Sequence, residues 1–92
     1  MNTTNAWLPS LPTCFPARLP DSRLSELVVV VYSTTDSDDP RDRFVTLAGL
    51  LFNEDGTPRS WNYEGWFYAP FIPTDHADYR VLYWMPLPPL PT

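Results

Sequence analysis

Four aspartates, Asp36, Asp38, Asp39 and Asp42, crowd the polar stretch from Ser33 to Asp42, and clustered carboxylates are the side chains that hold a hard cation. Their spacing does not suit a calcium loop. Where such a loop takes a further oxygen ligand and then a glycine for its sharp turn, this chain has Pro40 and Arg41. Arg41 and Arg43 can neutralise the cluster, so the stretch reads as a solvated loop with no metal assigned. His76 lies between Asp75 and Asp78, the residue types of an acid–base pair, and with Cys14 it would make a nucleophilic couple. A catalytic cysteine needs a base and oxyanion donors, and neither a glycine-rich turn nor a helix start adjoins Cys14. Three glycines in the whole chain are few for a phosphate cradle or a nucleophile elbow. The expectation is a non-enzymatic protein without catalytic, cofactor or metal residues, in which Cys14 is a small packed side chain and His76 sits in a turn.

The elements that would position these groups are strands. Pro9, Pro12, Pro16 and Pro20 each withhold an amide donor and bias the preceding residue away from helix, so residues 1–24 read as an extended proline-rich arm pinned by Trp7. Leu27 to Tyr32 is β-branched and apolar on both faces, as a strand covered on both sides would be. Arg43 to Phe52 reads as a second strand, Asn53 to Gly56 as a turn, Trp66 to Ala69 as a short third strand with Gly65 before it at a bulge or close approach, and Tyr79 to Met85 as a fourth. Thr74 to Tyr79 forms a turn or a single helical cycle. Pro86 ends the last strand, and Pro86 to Thr92 is a polyproline tail whose P-x-x-P spacing suits either a strap over Trp7 or Trp84 or a ligand for an aromatic groove. The fold class is thus mainly β: one domain over residues 1–92, built on a small twisted antiparallel sheet of about four strands over residues 25–85, with extended arms and little or no helix.

Composition narrows the function classes. Net charge is −5 and every basic residue is an arginine, so the surface repels phosphate, and isolated Arg18, Arg23, Arg59 and Arg80 offer no basic patch for direct nucleic-acid binding. Cys14 is the single cysteine, which fits a reducing cytoplasm. The longest aliphatic run, Leu27 to Val31, is too short to span a bilayer, and the start of the chain lacks the pattern of a leader, so no membrane is expected.

Four tryptophans, five tyrosines and five phenylalanines are many for 92 residues, and Trp, Tyr and Arg dominate interface energetics. The expected partner-binding residues are Trp61, Tyr63, Glu64, Tyr68 and Phe71 in the aromatic centre, with Arg59 and Glu64 as its rim. Asp36, Asp38, Asp39 and Asp42 join them as acidic contacts. Trp66 and Phe67 face opposite sides of a strand, so one of them points inward.

Trp7-Leu8-Pro9, Arg18-Leu19-Pro20, Val28 to Tyr32, Gly65-Trp66-Phe67 and Trp84-Met85-Pro86-Leu87-Pro88 together resemble the pattern of a small phage and prophage family known as domain of unknown function 551. The likeness runs over nearly the whole chain, its closing W-M-P-L-P being the most specific part. This chain differs by a longer proline-rich stretch between Pro9 and Arg18 and by the long loop from Ser33 to Asp42. The resemblance implies a phage-encoded accessory protein and brings no known activity. With the acidic, aromatic surface it leads to the expectation of a protein that binds a host protein or complex in the bacterial cytoplasm, such as a defence or nucleic-acid-handling assembly, in the manner of an anti-CRISPR inhibitor. The alternative is a homodimeric structural or assembly protein that buries the second apolar face of the Leu27 to Tyr32 strand.

Overall fold

The computed structural model describes residues 7–88. They form six strands and no helix: β1 (Leu8–Pro9), β2 (Val28–Thr34), β3 (Phe44–Phe52), β4 (Pro58–Tyr63), β5 (Phe67–Pro70) and β6 (Tyr79–Pro86). All pairings are antiparallel in one open sheet of order β1-β6-β2-β3-β4-β5. The four strands read from the sequence are present. Two more join them: β1, a two-residue edge strand, and β4, which carries Trp61. Thr74 to Ala77 is a turn, with the Ala77 amide donating to the Thr74 carbonyl at 3.2 Å.

β3 sets the shape. Its first half, Phe44 to Ala48, pairs with β2, whereas Gly49 to Phe52 pairs with β4. The other side of that second half is taken by residues 23–25, where the Phe52 amide donates to the Arg23 carbonyl and the Ser25 amide to the Leu50 carbonyl. The sheet therefore coils, and its inner face encloses the core: Val28 and Val30 of β2, Ala48, Leu50 and Phe52 of β3, Trp61 of β4, Phe67 and Ala69 of β5, and Val81 and Trp84 of β6, with Phe71 beyond β5. These positions alternate along β2, β3 and β5, as the two-residue side-chain period requires, and in β6 a bulge opposite Val31 and Tyr32 brings Val81 and Trp84, three residues apart, to the same face. Phe15 of the arm closes the core from outside the sheet, its ring 6.0 Å from Phe52 and 5.7 Å from Phe71. The Trp84 Nε1 donates to the Cys14 carbonyl at 3.4 Å, which fastens the same arm to β6.

The turns follow from local chemistry. Between β3 and β4 the Asp55 carboxylate accepts from both the amide and the hydroxyl of Thr57, and Gly56 takes φ 89°, a conformation that costs glycine nothing. Between β4 and β5 the Trp66 amide donates to the Tyr63 carbonyl, with Glu64 at φ 47° and Gly65 at φ 78°. Two successive positive φ values match the right-handed twist of the flanking strands. Gly65 marks this turn rather than a bulge.

Buried Ser25 repairs a break in the ladder just before β2. Its hydroxyl accepts from the Leu50 amide at 2.9 Å and donates to the Glu26 carbonyl at 2.7 Å, satisfying a core donor that no backbone carbonyl reaches. Ser25→Ala is expected to lower stability by about 1–3 kcal/mol, the cost of leaving that buried amide unpaired. A urea midpoint equal to that of the wild type would show that the hydroxyl is dispensable.

Candidate functional site

Tyr32, at the end of β2, organises one end of the molecule. Its ring lies 5.6 Å from Phe44 at the start of β3, 6.4 Å from Trp66 in the β4–β5 turn, 4.8 Å from Phe67 and 5.2 Å from Tyr79. Phe67 also stacks on Tyr79 at 5.6 Å. Phe67 and Tyr79 belong to strands at different positions in the open sheet, so this cluster holds the coil together where no hydrogen-bonded ladder does. Burial, and secondarily the neighbouring Tyr79 phenol, push the Tyr32 hydroxyl above its ordinary pKa.

The cluster is only partly covered. Phe44 is 48% and Trp66 52% exposed, and farther along the same hairpin Tyr68 is 55% and Ile72 70% exposed. Beside the cluster, Thr34, Thr35, Asp36, Asp75, His76, Ala77, Asp78 and Tyr79 line an open hollow of about 580 Å³. Its walls carry three carboxylates and no arginine. The Thr35 hydroxyl donates to the Ala77 carbonyl and the Thr35 amide to the Asp78 carbonyl, which ties the two loops of the hollow together. Among the described residues, Asp36, Asp75 and Asp78 make no salt bridge.

The residues nominated from the sequence divide sharply. Trp61 is fully enclosed and Phe71 is buried, so the expectation that both are exposed anchors is corrected: they are core residues, because the coil of the sheet wraps β4 inward. Tyr63 is half-buried and packs against that core. Glu64 and Tyr68 are exposed on the hairpin. Of the pair Trp66 and Phe67, Phe67 points inward and Trp66 outward.

In the acidic loop, Asp39 is gripped by Arg41 at 2.9 Å, Asp38 by Arg80 at 3.1 Å, and Asp42 accepts from the Ser37 hydroxyl at 2.9 Å. Hydrogen bonds from the Arg41 side chain and amide hold the Asp39 carboxyl below its usual range. Arg43, expected to neutralise this loop, instead lies over the Tyr83 ring, 5.9 Å from its centre. Arg80, which sequence reasoning treated as isolated, does that work from β6.

Phe44, Trp66, Ile72, Asp75 and Asp78 were not among the residues nominated for partner binding. Phe44 opens a strand that reads as core, and Ile72 stands between two prolines where no periodicity reports its direction. Cys14 packs beside the core and His76 lies in the exposed turn that lines the hollow. Among the described residues, no three of His, Cys, Asp and Glu converge as metal ligands, and no helix is long and apolar enough to cross a membrane. The polyproline tail beyond Pro88 lies outside the described residues; Pro86 itself borders a groove with Pro16 and Trp84. No family model matches this chain, and no curated protein or solved structure matches it.

Proposed function

We propose that this chain is a non-enzymatic binding protein that docks through the Phe44–Trp66 end of its sheet onto a basic surface of another protein. The observation that carries this reading is the juxtaposition of exposed Phe44 and Trp66, both held against Tyr32, with a hollow walled by Asp36, Asp75 and Asp78. A partly exposed aromatic pair supplies short-range adhesion, and unpaired carboxylates around it select and steer a partner bearing lysine or arginine. In the phage setting that the resemblance implies, the partner belongs to the host, and a nucleic-acid-handling or defence complex has the basic grooves such a surface would occupy.

The test is capture from bacterial lysate on immobilised wild type and on two variants, Trp66→Ser and Asp75→Asn/Asp78→Asn, followed by titration of the purified pair. All three positions are exposed, so the far-ultraviolet circular dichroism and the urea midpoint should be preserved. A genuine partner is retained by the wild type, is bound at least about 10-fold more weakly by each variant, and dissociates as salt is raised. Equal retention by all three proteins, or no retained protein, would count against the reading.

A further inference from the structure

The opposite, outer face of the sheet is apolar and, among the described residues, has no layer over it. Cross-strand register places Pro9 beside Tyr83, Tyr83 beside Val31 and Val31 beside Val45, and places Met85 beside Val29 and Val29 beside Leu47. The first row runs across β1, β6, β2 and β3 and the second across β6, β2 and β3; neither contains a carboxylate, although the chain carries net charge −5. Most antiparallel sheets with one solvated face alternate apolar and polar residues; here Val28 to Val31 is apolar on both sides. The face also has relief. Trp7, Val31, Arg43 and Tyr83 surround a hollow of about 370 Å³, and next to it Val45 projects, 63% exposed.

We infer that the occupant of this face is a second copy of the chain, in a two-fold, face-to-face β-sandwich. A projection and a hollow side by side on one surface are what a self-complementary interface needs: Val45 of each copy enters the Trp7–Tyr83 hollow of the other, with the axis over β2. The size of the face fits such a pair. With eight residues in β6, seven in β2, five in the paired half of β3 and two in β1, each taking about 4.8 by 3.3 Å, it covers on the order of 350 Å² in plan. Leu27 and Trp7 at its margins extend it toward the roughly 800 Å² per partner of an ordinary interface. The face falls short of an ordinary interface, so the dimer is a weak, dissociable one. It leaves the Phe44–Trp66 end of each copy free. Two acidic copies repel one another beyond contact, so added salt screens that repulsion and tightens the dimer, opposite to its effect on a basic partner.

Sedimentation velocity from about 1 µM to about 1 mM tests this on the whole chain. The wild type is expected to pass from monomer to dimer, more readily at high salt, while Val45→Lys remains monomeric, its association weakened at least about 100-fold by an ammonium forced against the Arg43 guanidinium that lines the hollow. At dilution, where both are monomers, their melting temperatures should agree, which separates lost pairing from lost folding. Trp66→Ser should dimerise like the wild type. A wild type that stays monomeric throughout, a Val45→Lys chain that pairs as well as the wild type, or a Trp66→Ser chain that fails to pair would each overturn the inference; the last would transfer the contact to the end of the sheet proposed for the basic partner.

Discussion

Replacing Trp61 with alanine is expected to remove about 3–5 kcal/mol of stability, a large share of the roughly 5–14 kcal/mol available to a domain of this size. Trp61 is fully enclosed, paired with Ala69 of β5 on one side and Leu50 of β3 on the other, with the Phe71 ring 6.3 Å away. Its loss opens a cavity where three strands meet. Trp61→Phe should cost much less than the alanine variant. The Trp61 Nε1 is buried without a hydrogen-bond acceptor, so phenylalanine gives up ring area but also removes an unpaired donor that itself costs about 1–3 kcal/mol. Urea unfolding of both variants decides the matter; an alanine variant with an unshifted midpoint would mean that the enclosure of this ring is wrong. A loss of binding by Trp61→Ala would report unfolding and says nothing about an interface.

Phe67→Ala is expected to cost a comparable 3–5 kcal/mol by the same large-to-small accounting, about as much as any single core truncation. Its consequences should also be spatially distinctive. Phe67 joins β5 to Tyr32 of β2 and Tyr79 of β6 through ring contacts alone, so its removal leaves the β4–β5 hairpin held through the β3–β4 ladder and no longer to β2 and β6, and takes away the support beneath Trp66, 5.4 Å from it. Hydrogen exchange should show amides of β4 and β5 opening far more readily than those of β2 and β6, a sub-global event below the cost of complete unfolding. Uniform acceleration across all strands would instead mean that the cluster at the end of the sheet has no local role. Adding a small aromatic compound is not expected to restore the wild-type pattern, because the site lies at the open rim of the coil rather than in a closed cavity.

The strands that announce themselves by composition were legible before any coordinates. Val28 to Tyr32 and Tyr79 to Met85 have enough β-branched and aromatic residues to be strands in any arrangement, and Pro86 marks an end that the structure places at Pro86 itself. β4 was not legible, because it opens on Pro58 and alternates Arg59, Ser60, Trp61, Asn62 and Tyr63, a pattern in which polar Ser60 is nonetheless buried beside Trp61. That a serine lies inside follows from the coil of the sheet, a long-range property. The same cause moved Trp61 and Phe71 from the expected surface to the core: counting rings says how many must be shared between inside and outside, but not which. At the candidate site, the strand period required one of Phe67 and Trp66 to point inward without saying which, and the gathering of Phe44 and Trp66 around Tyr32 depended on which strands neighbour one another. The Asp38–Arg80 pair joins residues far apart in the chain, and no local spacing could have indicated it.

The position of β6 has a consequence for how the chain reaches this state. It is the last strand in order, yet it lies between β1 and β2, so β2 waits for it with one ladder unpaired. What waits is Val28-Val29-Val30-Val31, an uncharged, proline-free, strongly β-prone run of the kind that nucleates cross-β aggregates. Refolding yield should therefore fall steeply with protein concentration, and the productive route is a race between the docking of β6 and the meeting of two such valine runs from different molecules.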